Sequence, residues 1–165
     1  MEASVIFSIC ATVIAIASLA VAVYQARATR RHNRQSVRPI LELRTNFSVG
    51  QIAGLQLLNV GIGPAAVMKT RLKLDGVHIG EFDESGANRV RKALTATRPA
   101  AVTLGGRPYL EKDYDRYLLS VKDFDPVAHS EFVDLVRHHL AMEIYYESVY
   151  GGEGFMVFHP RRKMP

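Results

Sequence analysis

Residues 140–159 read LAMEIYYESVYGGEGFMVFH, and their pattern decides the fold class. Leu140, Met142, Ile144 and Tyr146 fall on one face, and Glu143, Tyr145 and Glu147 on the other. A period of two is the mark of a half-buried strand, because successive side chains of extended backbone point to opposite sides. Gly151-Gly152-Glu153-Gly154 predicts a hairpin turn, and Phe155 to His159 its returning strand.

The same reading extends towards the N-terminus. Ala66 to Leu74 alternates, with Met68, Thr70, Leu72 and Leu74 against Lys69, Arg71 and Lys73. Asp75-Gly76 follows, a two-residue hairpin signal because a type I′ turn needs positive φ at both central positions. Val77 to Phe82 returns. Gly54 to Val60 and Pro39 to Arg44 are two earlier strands, the latter with Leu41 and Leu43 on one face. Ala101 to Leu104 and Asp115 to Val121 add two more. Asp83 to Pro99 is polar, carries Arg89, Arg91, Lys92 and Arg98, and holds a short helix around Asn88 to Leu94. Asp125 as N-cap, Pro126 at the first helical position, and the spacing of Phe132, Leu135, Val136 and His139 predict a helix over Pro126 to His138. About seven short strands with one or two short helices predict a mainly β fold, an antiparallel β-sandwich over residues 38–160.

The first 24 residues are of another kind. Ala3 to Tyr24 is 22 residues without a charge, Pro or Gly. As a helix it spans about 33 Å, against roughly 30 Å of bilayer hydrocarbon. This predicts a transmembrane anchor at 1–24, continued by a basic juxtamembrane helix and linker at 25–37. A cleaved signal peptide is the competing reading. It wants a positive n-region, and only Met1-Glu2 precedes the run, although Ala20-Val21-Ala22 mimics a cleavage site.

Charge sets the expected orientation. The chain has 21 Lys+Arg, 16 Asp+Glu and a net charge of +5, yet from Thr45 to Pro160 there are 12 Lys+Arg against 14 Asp+Glu. The excess lies in the juxtamembrane stretch and in a basic tail at 161–165. Arg27, Arg30, Arg31 and Arg34 follow the apolar helix, so the positive-inside rule places that side in the cytoplasm and the N-terminus outside, in the inner (plasma) membrane. The same arginines are candidates for contact with anionic lipid heads. A slightly acidic domain argues against nucleic acid as a partner.

Within the apolar run, Ser4, Ser8, Ala11, Ala15, Ser18 and Ala22 follow 4-3-4-3-4 spacing. A stripe of small side chains lets two backbones approach in lipid. The expectation is a homo-oligomer through this helix, with a plain monomeric anchor as the alternative.

Arg31-His-Asn-Arg-Gln-Ser-Val-Arg-Pro39 after an apolar helix, Leu57-Leu-Asn-Val-Gly-Ile-Gly-Pro-Ala65, and Ile144-Tyr-Tyr-Glu-Ser-Val-Tyr-Gly151 carry a resemblance. Together they resemble a group of small uncharacterised bacterial single-pass membrane proteins with a C-terminal immunoglobulin-like β-sandwich. The resemblance covers most of the chain and implies an anchored sandwich with no assigned chemistry and no family active-site residues.

The chemistry-bearing residues form no catalytic or metal motif. Gly61-Ile-Gly63 lacks the third glycine of a dinucleotide fingerprint and the Lys-Ser/Thr of a P-loop. It reads instead as a structural turn: Gly61 and Gly63 supply positive φ, Asn59 caps with its amide, and Pro64 fixes the exit. His138-His139 lacks an H-x-x-x-H or C-x-x-C partner. Asp113, Asp115, Asp123 and Asp125 do not match a calcium loop. The lone Cys10 excludes an internal disulfide and lies in the apolar run. Tyr145, beside Glu143 and Glu147, is the aromatic residue expected at the surface, where tyrosines favour protein contacts. The expectation is a non-catalytic, cofactor-free interaction module at the membrane, with an unidentified protein partner. The alternatives are a ligand-binding or enzymatic domain whose site assembles from scattered residues, and a secreted or periplasmic sandwich.

Overall fold

The structure is a computed structural model that describes residues 2–106 and 108–160, the side chains of residues 2, 4 and 31–36 excepted. The chain divides into two units, Met1–Ser36 and Val37–Pro165.

The first unit is one helix, α1, Glu2–Ser36, of 35 residues. Its stretch Val5–Arg30 has a mean hydropathy of 2.6 and is long and apolar enough to cross a membrane. Every described side chain along it is exposed. Isoleucines and valines therefore face outward all round the helix, as on one that meets an apolar medium. No helix breaker occurs before Pro39, and α1 runs unbroken to Ser36.

The second unit is built from β1 (Leu41–Asn46), β2 (Ala53–Asn59), β3 (Ala65–Leu74), β4 (Val77–Gly80), α2 (Glu84–Lys92), β5 (Ala100–Ala101), β6 (Tyr109–Leu110), β7 (Asp115–Val121), α3 (Ser130–Asp134), a π-helical turn at Leu135–His139, β8 (Leu140–Ser148) and β9 (Phe155–His159). One sheet runs β1-β2-β7-β5; the other runs β4-β3-β8-β9, with β6 also on β3. All pairings are antiparallel. Leu55, Leu57, Leu118 and Leu119 of the first sheet and Val67, Leu72, Met142 and Ile144 of the second share one core with Phe82, Val90, Phe132 and Val136. Among the described residues the second unit is thus a β-rich antiparallel sandwich of nine strands, where about seven were expected, with two short helices and a π-helical turn.

Several expectations are corrected. Met68 does not share a face with Thr70 and Leu72: a bulge between Val67 and Lys69 shifts the register, so Val67 points inward and Met68 outward. One extra residue in a strand breaks the period-two rule at that point. The first small helix begins at Glu84 rather than Asn88, because the Asp83 carboxylate accepts the Gly86 N–H at 2.8 Å and caps it there. The second is not a single helix over Pro126 to His138. Residues 126–129 form a turn held by Asp125, α3 is five residues, and the remainder is π-helical. His139, expected on the buried face, is exposed. Strand β6 lies in a segment to which the sequence pattern assigned no element, and β4 stops at Gly80 instead of reaching Phe82. The hairpin signals behave as their chemistry requires: Asp75 and Gly76 both have positive φ, 51° and 79°.

Candidate functional site

The turn after β2 is organised by a buried side chain. Asn59 is 2% exposed. Its Oδ1 accepts the Gly61 N–H at 3.1 Å and the Ile40 N–H at 3.3 Å. Its Nδ2 donates to the carbonyls of Gly63, Glu111 and Leu110 at 2.8, 3.0 and 3.4 Å. One amide thus joins the turn, the chain before β1 and the chain after β6. Burying it unpaired would cost several kcal/mol, which these partners offset. Gly61 and Gly63 are not at positive φ, contrary to expectation. They are needed for close approach instead. A β-carbon on Gly61 would lie 2.6 Å from the Arg38 carbonyl oxygen, and one on Gly63 would overlap the Val37 carbonyl. Val37–Ile40 is bound along the turn, with Ile62 N–H donating to Arg38 and Val60 N–H to Ile40. Pro64 is half-buried and leads into β3 at Ala65.

The outer face of the β4-β3-β8-β9 sheet carries the densest exposed chemistry. Lys69 pairs with Tyr145 and Tyr145 with Met156 across the strands, and the next row runs Arg71, Glu143, Phe158. Met68 and Met156 are 42% and 51% exposed. A groove of about 490 Å³ opens among Met68, Tyr145, Gly152, Phe155 and Met156. Beside it, Lys73 Nζ lies 2.9 Å from Glu143, and Arg71 lies 3.8 Å from the same carboxylate. Tyr145 donates to Glu143 at 3.0 Å and accepts from Arg71, whose guanidinium sits 5.3 Å from the tyrosine ring centroid. Lys73, then Tyr145, hold the Glu143 carboxyl below its ordinary range against the opposing effect of partial burial. One carboxylate therefore answers two cations, and Lys69 is exposed without a carboxylate partner among the described residues. The strip is apolar at its centre, with the cations of β3 on one side and the Glu147 and Glu153 carboxylates lining the groove on the other.

The remaining sequence candidates are dispersed. Ser8, Ala11, Ala15, Ser18 and Ala22 are exposed on α1. Ser8 and Thr12 floor a shallow groove between Val5, Ile9 and Val13, and Thr12 Oγ1 donates to the Ser8 carbonyl. Arg27 and Arg30 are exposed. The side chains of Ser4, Arg31 and Arg34, and the tail at 161–165, lie outside the described residues. His138 and His139 do not converge: His139 bonds instead to Asp75 through Nδ1 and to Asp134 through Nε2 at 3.1 Å. Among the described residues no three or more His, Cys, Asp or Glu gather as metal ligands would.

Two features escaped the sequence reading. His159 is buried and donates its Nε2–H to the Val136 carbonyl at 2.8 Å, and burial lowers its pKa. The second is an open cavity of mixed polarity beside α2, where Arg91, Lys92 and Arg98 meet Leu94 and Ala96. Its cations had read as a solvated polar segment. Comparison of the chain with family models, curated proteins and solved structures returned no match.

Proposed function

We propose that this chain is a non-catalytic protein-interaction module anchored in the inner membrane by α1, with its N-terminus outside and its β-sandwich in the cytoplasm. The length and hydropathy of Val5–Arg30 support the anchor. The arginines that follow the apolar run support the orientation. The small-residue stripe of α1 adds pairing of two copies within the bilayer.

The observation that carries the docking role is the row Lys69–Tyr145–Met156 on the outer sheet face, with the bulged Met68 exposed beside it and Arg71 and Lys73 further along β3. Methionine adapts to varied partner shapes, and tyrosine supplies a large contact at little entropic cost. Lys69, exposed on β3 without a carboxylate among the described residues, is the cation left to pair with a carboxylate of a partner segment whose apolar side chains fill the groove.

A photoreactive residue placed at Met156, in the full-length chain in native membranes, tests this. The expected result is a discrete adduct with a protein whose labelled segment is acidic and apolar, lost when Lys69→Glu is added. A label at Val127, exposed on the 126–129 turn, yields no such adduct. Equal labelling from both positions, or none from position 156, contradicts the docking role.

A further inference from the structure

The cavity beside α2 has a chemistry that the docking face does not use. Its volume is about 590 Å³, and its walls carry Arg91, Lys92 and Arg98 together with Asn88, Thr95 and Thr97. No carboxylate lines it. Arg91 is pinned in place: Nε donates to the Pro99 carbonyl at 3.1 Å, and Nη1 to Asn88 at 3.0 Å and Glu84 at 3.4 Å. Glu84 is 74% exposed, so this ion pair is screened by solvent and neutralises little of the Arg91 charge. Lys92 and Arg98 are exposed, with no ion-pair partner among the described residues.

The loop that forms one wall already holds an anion. The Glu131 carboxylate accepts the Thr95 N–H at 2.9 Å, the Ala96 N–H at 3.0 Å and the Thr95 hydroxyl at 3.1 Å. Successive backbone N–H groups turned to one side make an anion-binding concavity. The Ala96 and Thr95 N–H groups hold the Glu131 carboxyl below its ordinary range. Glu131 stays ionised on the loop and makes no ion pair with Arg91, Lys92 or Arg98 among the described residues.

We infer that this cavity binds a phosphate group, with Arg98 presenting a guanidinium fork to its oxygens, Arg91 its remaining Nη2 donors, Lys92 a point charge and Thr97 a hydroxyl donor. Guanidinium matches phosphate through paired N–H donors, and three cations suit a dianion better than a carboxylate. The volume leaves space for the group to which the phosphate is esterified, which is either a soluble molecule or a lipid headgroup.

The test uses the full-length chain in neutral detergent micelles, titrated with inorganic phosphate at constant ionic strength and followed by the backbone amide signals of Thr97 and Arg98. The expected result is a saturable shift. Lys92→Gln with Arg98→Gln weakens half-saturation by about tenfold or more, whereas Arg116→Gln with Lys122→Gln leaves it unchanged. Both pairs are surface residues, so their melting temperatures without phosphate stay at that of the parent. A second arm places the chain in phosphatidylcholine bilayers with and without phosphatidic acid. Suppression of the phosphate response by phosphatidic acid identifies a lipid headgroup as the occupant, and an unaltered response identifies a soluble phosphate compound. No saturable shift, or equal weakening by both double variants, overturns the site.

Discussion

The Val37 carbonyl oxygen occupies the space that a β-carbon on Gly63 would need. The first residues of the β domain therefore lie directly against the turn that follows β2. Gly61 stands in the same relation to Arg38 and Ile40. Asn59 closes the arrangement by bonding both Ile40 and the turn.

Gly61→Ala and Gly63→Ala are thus expected to destabilise the domain by about 2 kcal/mol or more, since backbone rather than a flexible side chain must give way. Gly154→Ala is the control. It has open space around it and no left-handed backbone, so it shifts stability by less than about 1 kcal/mol. Melting of the full-length chain in detergent micelles reads the difference. Three equal effects would refute the close-approach argument.

The route from sequence to this turn was only half legible. An Asn-x-Gly-x-Gly-Pro run announces a turn, and Asn59 is the residue that organises it. The need for glycine comes from Val37–Ile40, a segment some twenty residues away, and no local rule sees that contact. The β8–β9 hairpin and the Asp75-Gly76 turn were legible because alternation and φ preference are local properties. Met68 was misplaced because a bulge leaves no mark in the side-chain pattern. The helix over Pro126 to His138 was misread because tertiary bonds remake its end: His159 takes the Val136 carbonyl, and His139 is drawn to Asp75. The phosphate cavity was invisible because Arg91, Lys92 and Arg98 converge only once α2 and the following loop fold back together.

The two histidines predict a pH profile with opposite limbs. The Asp75 hydrogen bond, then Asp134, raise the His139 pKa above its ordinary 6.5. Its contribution to stability is fully present below pH 6.5 and lost as pH rises through the folded-state value. Burial lowers the His159 pKa. Its contribution is fully present above 6.5 and lost as pH falls through the folded-state value. His139→Gln should flatten the alkaline limb and leave the acid limb in place. Denaturant midpoints across this range measure both, and an unchanged alkaline limb would contradict the His139 assignment.

Pairing of α1 through its small residues predicts a selective response to bulk. Ala11→Ile with Ala15→Ile fills the stripe and should abolish association of the full-length chain in a membrane two-copy assay. Ile9→Leu with Ile16→Leu lies off the stripe and should preserve it. No signal from the parent, or equal loss from both pairs, leaves a monomeric anchor.

That the sandwich hangs on the arginine side of a single spanning helix is tested most directly by paired reporter fusions after Pro165, one active only in the cytoplasm and one only outside it. The expected result is activity of the cytoplasmic reporter alone, with the bias weakened when Arg27, Arg30, Arg31 and Arg34 are neutralised together. Activity of the external reporter alone would contradict it.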